Sequence, residues 1–202
     1  MTSKEIRLVV GLGNPGDAYQ DTRHNAGFLV LDRFAETYSV AMDKRKFDVV
    51  IGRGLVENHE VLLAKPQAYM NRSGPPVLKL SGYFRILPEE MLIVHDDIDL
   101  SFGRLKIKEK GGHGGHNGIR SLMEAFGDGN FARLRVGIGR SEEASVTDHV
   151  LGRFNAAENS VLDQIFRKVC DAIVTIIGRA TREGMNIFHK KELLLDRIAG
   201  GG

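Results

Sequence analysis

Near-continuous apolar runs alternate along the chain with stretches whose apolar residues recur every three or four positions. Ile6 to Leu12 is the first such run, broken only by Arg7, and its length predicts a buried strand. In "AGFLVLDRFAETYS" Phe28, Leu31, Ala35 and Tyr38 share one face of a predicted helix. Residues around Phe47 to Val56 and Val61 to Ala64 predict a strand pair, followed by the loop "KPQAYMNRSGPP" and a helix through "VLKLSGYF". "MLIVHDDIDL" predicts a short buried strand ending in carboxylates. In "RLKIKEK" the alternation sets Leu105 and Ile107 against Arg104, Lys106, Lys108 and Lys110, a half-exposed strand with a basic outer face. The glycine-rich "GGHGGHNG" leads into a helix "IRSLMEAF", "FARLRVGIG" alternates as another strand, and one long helix is expected from about Ala156 to Glu183. Helices interspersed with buried and half-buried strands predict an α/β fold: a single domain with a central mixed, largely parallel, twisted sheet flanked by helices in a three-layer sandwich. The domain is expected over residues 1–191, with 192–202, ending "AGGG", as a tail.

A length of 202 residues and a hydrophobic content of 42% suffice for one sizeable core. The charge is nearly balanced, 28 basic against 26 acidic residues, but its distribution is not. Ile86 to Ser101 holds five acids and no Lys or Arg, whereas Arg104 to Arg140 holds eight basic residues against three acidic ones. Two solvated faces would give this pattern, and so would a polyanion-binding surface beside a site that needs carboxylates. Cys170 is the sole cysteine, which excludes a disulfide framework or a thiolate zinc cage, and its spacing with Ile165, Phe166, Val169, Ile173 and Ile177 predicts core packing. The start "MTSKEIRLVV" lacks an apolar signal segment and no stretch approaches membrane-spanning length, so a cytoplasmic protein with no membrane partner is expected.

Gly11, Gly13 and Gly16 form a literal G-x-G-x-x-G after the first strand. A dinucleotide fingerprint requires those glycines to open a helix directly and an acid about 20 residues on at the end of a second strand. Here Pro15 removes an amide donor, ten residues separate Gly16 from the helical pattern, and the candidate acid Asp32 falls inside the helix. Asn-Pro-Gly reads better as a tight turn fixing Asn14 at the carboxyl end of a strand, and no nucleotide cofactor is expected.

Polar clusters at predicted strand ends and in neighbouring loops bring together Asn14, His24, Asn25, Asn71, Asp96, Asp97, His116 and Asn117. No G-x-S-x-G elbow occurs and the only thiol is predicted buried, so covalent acyl transfer lacks a nucleophile. Hydrolysis would then rest on a histidine acting on water. A neutral imidazole, with a reference pKa of about 6.5, can take a proton near neutral pH when a carboxylate fixes its tautomer. His95 lies within an apolar run and reads as a core histidine. His113 and His116 have a metal-like spacing, but the intervening glycines hold no rigid face, and no metal is expected. The glycine run reads instead as backbone that approaches substrate or phosphate ahead of a helix N-terminus.

"GLGNPGDAYQDTRHNAG", "KPQAYMNRSG", "VHDDIDLSFGRLKIK" and "GGHGGHNGIRS", in this order and followed by "FARLRVGIGR" and "VLGRF", closely resemble the bacterial-type peptidyl-tRNA hydrolases over roughly Ile6 to Lys191. The resemblance implies a cytoplasmic, monomeric hydrolase that cleaves the ester between a peptide and the 3′-terminal ribose of tRNA, recycling peptidyl-tRNA lost early from the ribosome, with no cofactor. It implies His24 as the general base for water, Asp96 as its supporting carboxylate, and Asn14 as the reader of the blocked aminoacyl group. It further implies contacts to the substrate or the 3′ CCA end from Tyr19, Tyr69, Asn71 and Asn117, with Met70 lining the cleft. Lys108, Arg133 and Arg135 match basic positions expected to hold the acceptor arm. The chain departs from some relatives after the "GIG" strand, where "RSEEAS" places Glu142 and Glu143 in a loop that elsewhere carries lysines, with Arg140 as a substitute. Two other readings stay open at this point: a catalytically silent RNA-binding relative, against which the joint presence of His24 and Asp96 argues, and a nucleotide-dependent oxidoreductase, against which the missing acid-ended second strand argues.

Overall fold

A computed structural model describes residues 5–189. The elements follow in the order β1 (Leu8–Gly11), α1 (Ala26–Thr37), β2 (Lys44–Lys46), β3 (Val49–Val56), β4 (His59–Pro66), α2 (Gly74–Phe84), β5 (Met91–Asp97), β6 (Leu105–Lys108), α3 (Asn117–Phe126), β7 (Ala132–Gly137), α4 (Val146–Leu151), α5 (Ala156–Arg179) and α6 (Thr181–Phe188). The strands form one mixed sheet, β2-β3-β4-β1-β5-β7-β6, in which β4, β1, β5 and β7 run parallel and β3 and β6 are antiparallel to their neighbours.

Strands β1 and β5 read as apolar runs because both of their faces are covered. Successive side chains on a strand point to opposite faces, and they feed two cores. Val9, Leu92 and Val94 join Leu31, Phe34, Leu134 and Ile173 under α1 and α5, while Leu8, Val10, Met91 and Ile93 join Leu80 and Leu122 under α2 and α3. Cys170 is buried in the first of these cores, as its helical spacing predicts. The carboxyl ends of β1, β4 and β5 lie at one edge of the sheet, and the loops that follow them carry most of the polar clusters.

The glycines after β1 serve packing. A Cβ on Gly11 would lie 2.3 Å from the carbonyl oxygen of Gly27, and one on Gly13 would lie 2.6 Å from the Phe28 ring. Gly27 in turn sits against the backbone of Leu12 and Val94. Helix α1 can therefore cross β1 and β5 at backbone contact, which no residue with a side chain would allow. Asp32, the acid a dinucleotide loop would need, is paired with Lys65 on β4.

Three elements depart from expectation. The helix expected from Ala156 to Glu183 breaks at Ala180, whose φ of 80° ends α5, and α6 turns back so that Met185 and Phe188 reach the core. The Nε2 of His189 then accepts from the Ile107 amide on β6. Alanine is a good helix former, but Gly178 two residues earlier weakens the last turn of α5. Strand β2, "KRK", has no apolar alternation to announce it, and α4 is a short helix whose Ser145 cap accepts from the Asp148 amide. The expected tail, 192–202, lies outside the described residues. No helix among the described residues is long and apolar enough to cross a membrane.

These contacts predict opposite outcomes for two glycine-to-alanine changes. Gly27→Ala brings a methyl to 2.4 Å from the Val94 oxygen and is expected to lower stability by roughly 1–3 kcal/mol or more. Gly82→Ala, in α2 with open space around the new atom, is expected to raise it by about 0.5–1 kcal/mol. Urea unfolding of both variants checks the pair, and a Gly27→Ala midpoint equal to that of the parent would contradict the close crossing.

Candidate active site

His24 sits in a 3-10 turn, Arg23–Asn25, that leads directly into α1. Neighbouring residues clamp this turn to the far end of the chain. The Arg23 amide donates to the Gly152 carbonyl, and its guanidinium pairs with Glu158 at 2.7 Å and lies over the Phe154 ring. The imidazole is thereby aimed at the end of β5. There its Nδ1 lies 3.0 and 2.9 Å from the two oxygens of Asp96.

Asp96 is 2% exposed and receives a second imidazole. His116 caps α3 with its Nδ1, which accepts from the Gly118 and Ile119 amides, and its Nε2 lies 2.9 Å from Asp96 Oδ1. Because Nδ1 of His116 is an acceptor, its proton resides on Nε2 and is donated to the carboxylate. Burial alone would raise the Asp96 pKa, but the two imidazoles, His24 first, hold the carboxyl well below the usual carboxylate range. Burial opposes charge on His24, but the Asp96 charge and the hydrogen bond to it together outweigh burial, so its pKa is raised above 6.5. With Nδ1–H donated to Asp96, neutral His24 keeps its Nε2 lone pair for another partner.

Asn14 is held as firmly. Its amide donates to Asn25 Oδ1, its carbonyl accepts from Asn25 Nδ2, and its Oδ1 accepts from the Met70 amide at 2.7 Å. The Nδ2 protons of Asn14 remain as donors at the wall of a cleft of about 890 Å³. His24, Asp96, Tyr69, Met70, Asn71 and Asn117 border the same cleft, and Lys108, Arg133 and Arg135 border its basic side. Tyr19 is not part of this wall and stands edge-on to Tyr69, with ring centres 6.3 Å apart, at the mouth.

The basic residues differ in freedom. Arg135 is ion-paired with Asp97, and Arg140 with Asp99 at 2.8 Å. Arg133 is buried, and its guanidinium donates to the carbonyls of Gly111 and Gly112 instead of facing solvent. Asp97 also accepts from the Asp99 amide through Oδ1, closing a short turn after β5. His95 is buried, as its apolar run predicts, with Nδ1 bonded to the Asp96 carbonyl. Burial, and then His116, pushes its pKa well below 6.5.

His116 is the residue whose task sequence reasoning missed. Its spacing from His113 suggested a metal pair, yet His113 Nδ1 accepts from the Gly115 amide while His116 turns to Asp96. A signal was available: a polar residue directly before the "NGIRSLMEAF" helix is an N-cap candidate, and a histidine capping through one nitrogen has the other to offer. Among the described residues, His24, Asp96 and His116 form the group that could hold a metal ion. Both imidazole nitrogens stand 2.9–3.0 Å from the Asp96 oxygens, the separations of direct hydrogen bonds.

Comparison with known proteins agrees with this architecture. The family model described as peptidyl-tRNA hydrolase matches residues 8–194. A peptidyl-tRNA hydrolase of Clostridium novyi is 41% identical over 182 residues, covering 90% of this chain and 97% of the relative. One of Geobacter metallireducens is 41% identical over 192 residues, covering 93% and 97%. The crystal structure of peptidyl-tRNA hydrolase from Acinetobacter baumannii superposes with a TM-score of 0.87 at 39% identity, covering 93% of this chain and 96% of that one. With a matching fold, and sequence similarity across nearly its whole length, the chain belongs to the peptidyl-tRNA hydrolase family.

Proposed function

We propose that this protein hydrolyses the ester between a peptide and the 3′-terminal ribose of tRNA, releasing both, with His24 as the general base. The observation that carries the reading is the buried His24–Asp96 pair, whose contacts leave one imidazole nitrogen unengaged at the cleft. His24 Nε2 takes a proton from water as the oxygen attacks the ester carbonyl, Asp96 stabilises the imidazolium that forms, and the proton passes to the ribose oxygen as its bond to the carbonyl carbon breaks. The charge developing on the carbonyl oxygen requires a positioned donor. Asn14 Nδ2, anchored through its own Oδ1, is the best-fixed amide for that task or for reading the peptide carbonyl, and Asn71 and Asn117 are the alternatives at the same wall. An ester is labile enough that a positioned base and a fixed donor account for its cleavage without a covalent intermediate.

Tyr19 and Tyr69 offer aromatic surface for the unpaired CCA end, and the basic side of the cleft suits the acceptor arm. Lys108 stands among Arg135, Lys106 and Arg133; burial first, and then these neighbours, lower its pKa, the sign of a positive field. Phosphate contacts carry little base information, which suits an enzyme that must accept many tRNAs. The protein acts as a monomer in the cytoplasm, on peptidyl-tRNA released early from the ribosome.

His24→Ala is expected to slow release of the acyl group from N-blocked aminoacyl-tRNA by ~10²–10⁴-fold, with tRNA binding retained; undiminished release would reject His24 as the base. The parent should keep its full rate in chelator, and loss of activity restored by one divalent ion would replace this mechanism with a metal-assisted one. The base must be neutral to act, so kcat/KM rises with pH through the His24 pKa. Because Asp96 raises that pKa, Asp96→Asn should shift the acidic limb of the profile to lower pH while reducing the plateau. An unmoved limb would show that the two groups are uncoupled. Lys108→Met should weaken tRNA binding and reduce its salt slope by about one, and an unchanged slope would remove Lys108 from the interface.

A further inference from the structure

Arg133 is a cation without a counter-charge. It is 3% exposed, and no carboxylate pairs with it among the described residues. Asp97, on the neighbouring strand, is engaged by Arg135. Its partners are neutral: the carbonyls of Gly111, Gly112 and, at 3.5 Å, Gly129, and the face of Phe131 at 4.8 Å. Its Nε is buried with no acceptor. A buried charge is tolerated when an opposite charge or a polar ligand compensates it, so this arrangement lacks a component.

The carbonyls that Arg133 engages determine where the adjoining amides point. In a trans peptide the N–H lies opposite the C=O, and the described residues contain no cis bond. With the carbonyls of Gly111 and Gly112 drawn down onto the guanidinium, the amides of Gly112 and His113 point away from it, to the outer side of the loop. Neither these nor the Gly114 amide donates to any group among the described residues. The loop is nevertheless fixed. Gly115 donates to His113 Nδ1, His116 donates to the His113 carbonyl, and Gly114 and Gly115 take φ of 57° and 81°. No atom lies within 4 Å of where a Cβ would project from Gly111, Gly112 or Gly114, so the space beside these amides is open. At Gly129 a Cβ would come within 2.7 Å of both Arg133 Nη2 and the Gly111 oxygen, so the chain is kept clear where the guanidinium grips the loop.

We infer that the amides of Gly112, His113 and Gly114 form a phosphate site for the RNA strand of the substrate, with Arg133 as the positioning residue that aligns them and supplies positive charge from beneath. Successive outward amides make an anion-binding concavity. The loop borders the same cleft as His24 and Asn117, and Lys108 lies on the same wall, so the ligand is a phosphodiester near the 3′ end. This rests on the proposed tRNA substrate. Arg133 would then act on phosphate through the loop, without touching it.

The experiment follows the backbone amides of the whole protein by 15N–1H NMR during titration with cytidylyl-(3′→5′)-adenosine, and with the uncharged methylphosphonate analogue of that dinucleotide. The expected result is shifts concentrated at Gly112, His113 and Gly114 with the phosphodiester and absent with the neutral analogue. Equal shifts with both, shifts elsewhere in the cleft with these amides still, or no shift up to millimolar dinucleotide would overturn the site. In steady-state assays Arg133→Met, shown folded by its amide spectrum, should raise KM for peptidyl-tRNA about tenfold, with kcat changed far less and a shallower salt dependence of binding. A folded variant with unchanged KM and slope would also overturn it. If the dinucleotide moves the amides and the protein releases no peptide from tRNA, the phosphate site stands and the proposed activity fails.

Discussion

A single carboxylate, Asp96, carries the organisation of the site. Ionised and 2% exposed, it would cost several kcal/mol if left alone. Two imidazoles satisfy it, one from the turn before α1 and one from the start of α3. Each depends on it in return. His24 gains its tautomer and its raised pKa from Asp96, and His116 completes both a helix cap and the carboxylate's hydrogen bonding. The turn that supplies His24 meets β5 because α1 crosses β1 and β5 at backbone contact through Gly11 and Gly27. The glycine crossing and the buried carboxylate are thus parts of one constraint.

The cleft is lined by two kinds of group. Asn14, Asn71, Asn117 and Tyr69 are neutral amides and an aromatic ring, which can bind a carbonyl or a base face without competing for the catalytic proton. Lys108, Arg133 and Arg135 bring positive charge to the same lining. A peptide ester of RNA has the same division, with a neutral peptide on one side of the bond and a polyanion on the other. That match holds whether or not each basic residue meets phosphate directly.

The fold was largely legible because its main signals are periodic. Strands covered on both faces announce themselves as apolar runs, and β6 shows its alternation openly, with Leu105 and Ile107 buried beneath an exposed Lys106. What escaped depends on contacts between distant parts of the chain. Ala180 is itself a good helix former, β2 shows no apolar alternation, and Arg133 alternates like an exposed basic position but points under a loop. At the site, the resemblance to a known family identified His24 and Asp96 as partners, whereas the residues alone placed them only in one polar constellation. His116 stood in the same constellation without a task, since only the folded chain shows which of its nitrogens faces the carboxylate. The glycine motif after β1 reads from its spacing as a turn, and its use in packing against α1 became visible only in three dimensions.

The clamp between Arg23 and Glu158 joins residues 135 positions apart, and His24 and Asp96 are separated by 72. Contacts of such long range form late, because the intervening loops must close first. A chain emerging from the ribosome would thus have Asp96 outside the exit tunnel well before Glu158 could seat the turn that aims His24. During its own synthesis the polypeptide is itself esterified to a tRNA, and it would reach its mature geometry only after Glu158 has emerged.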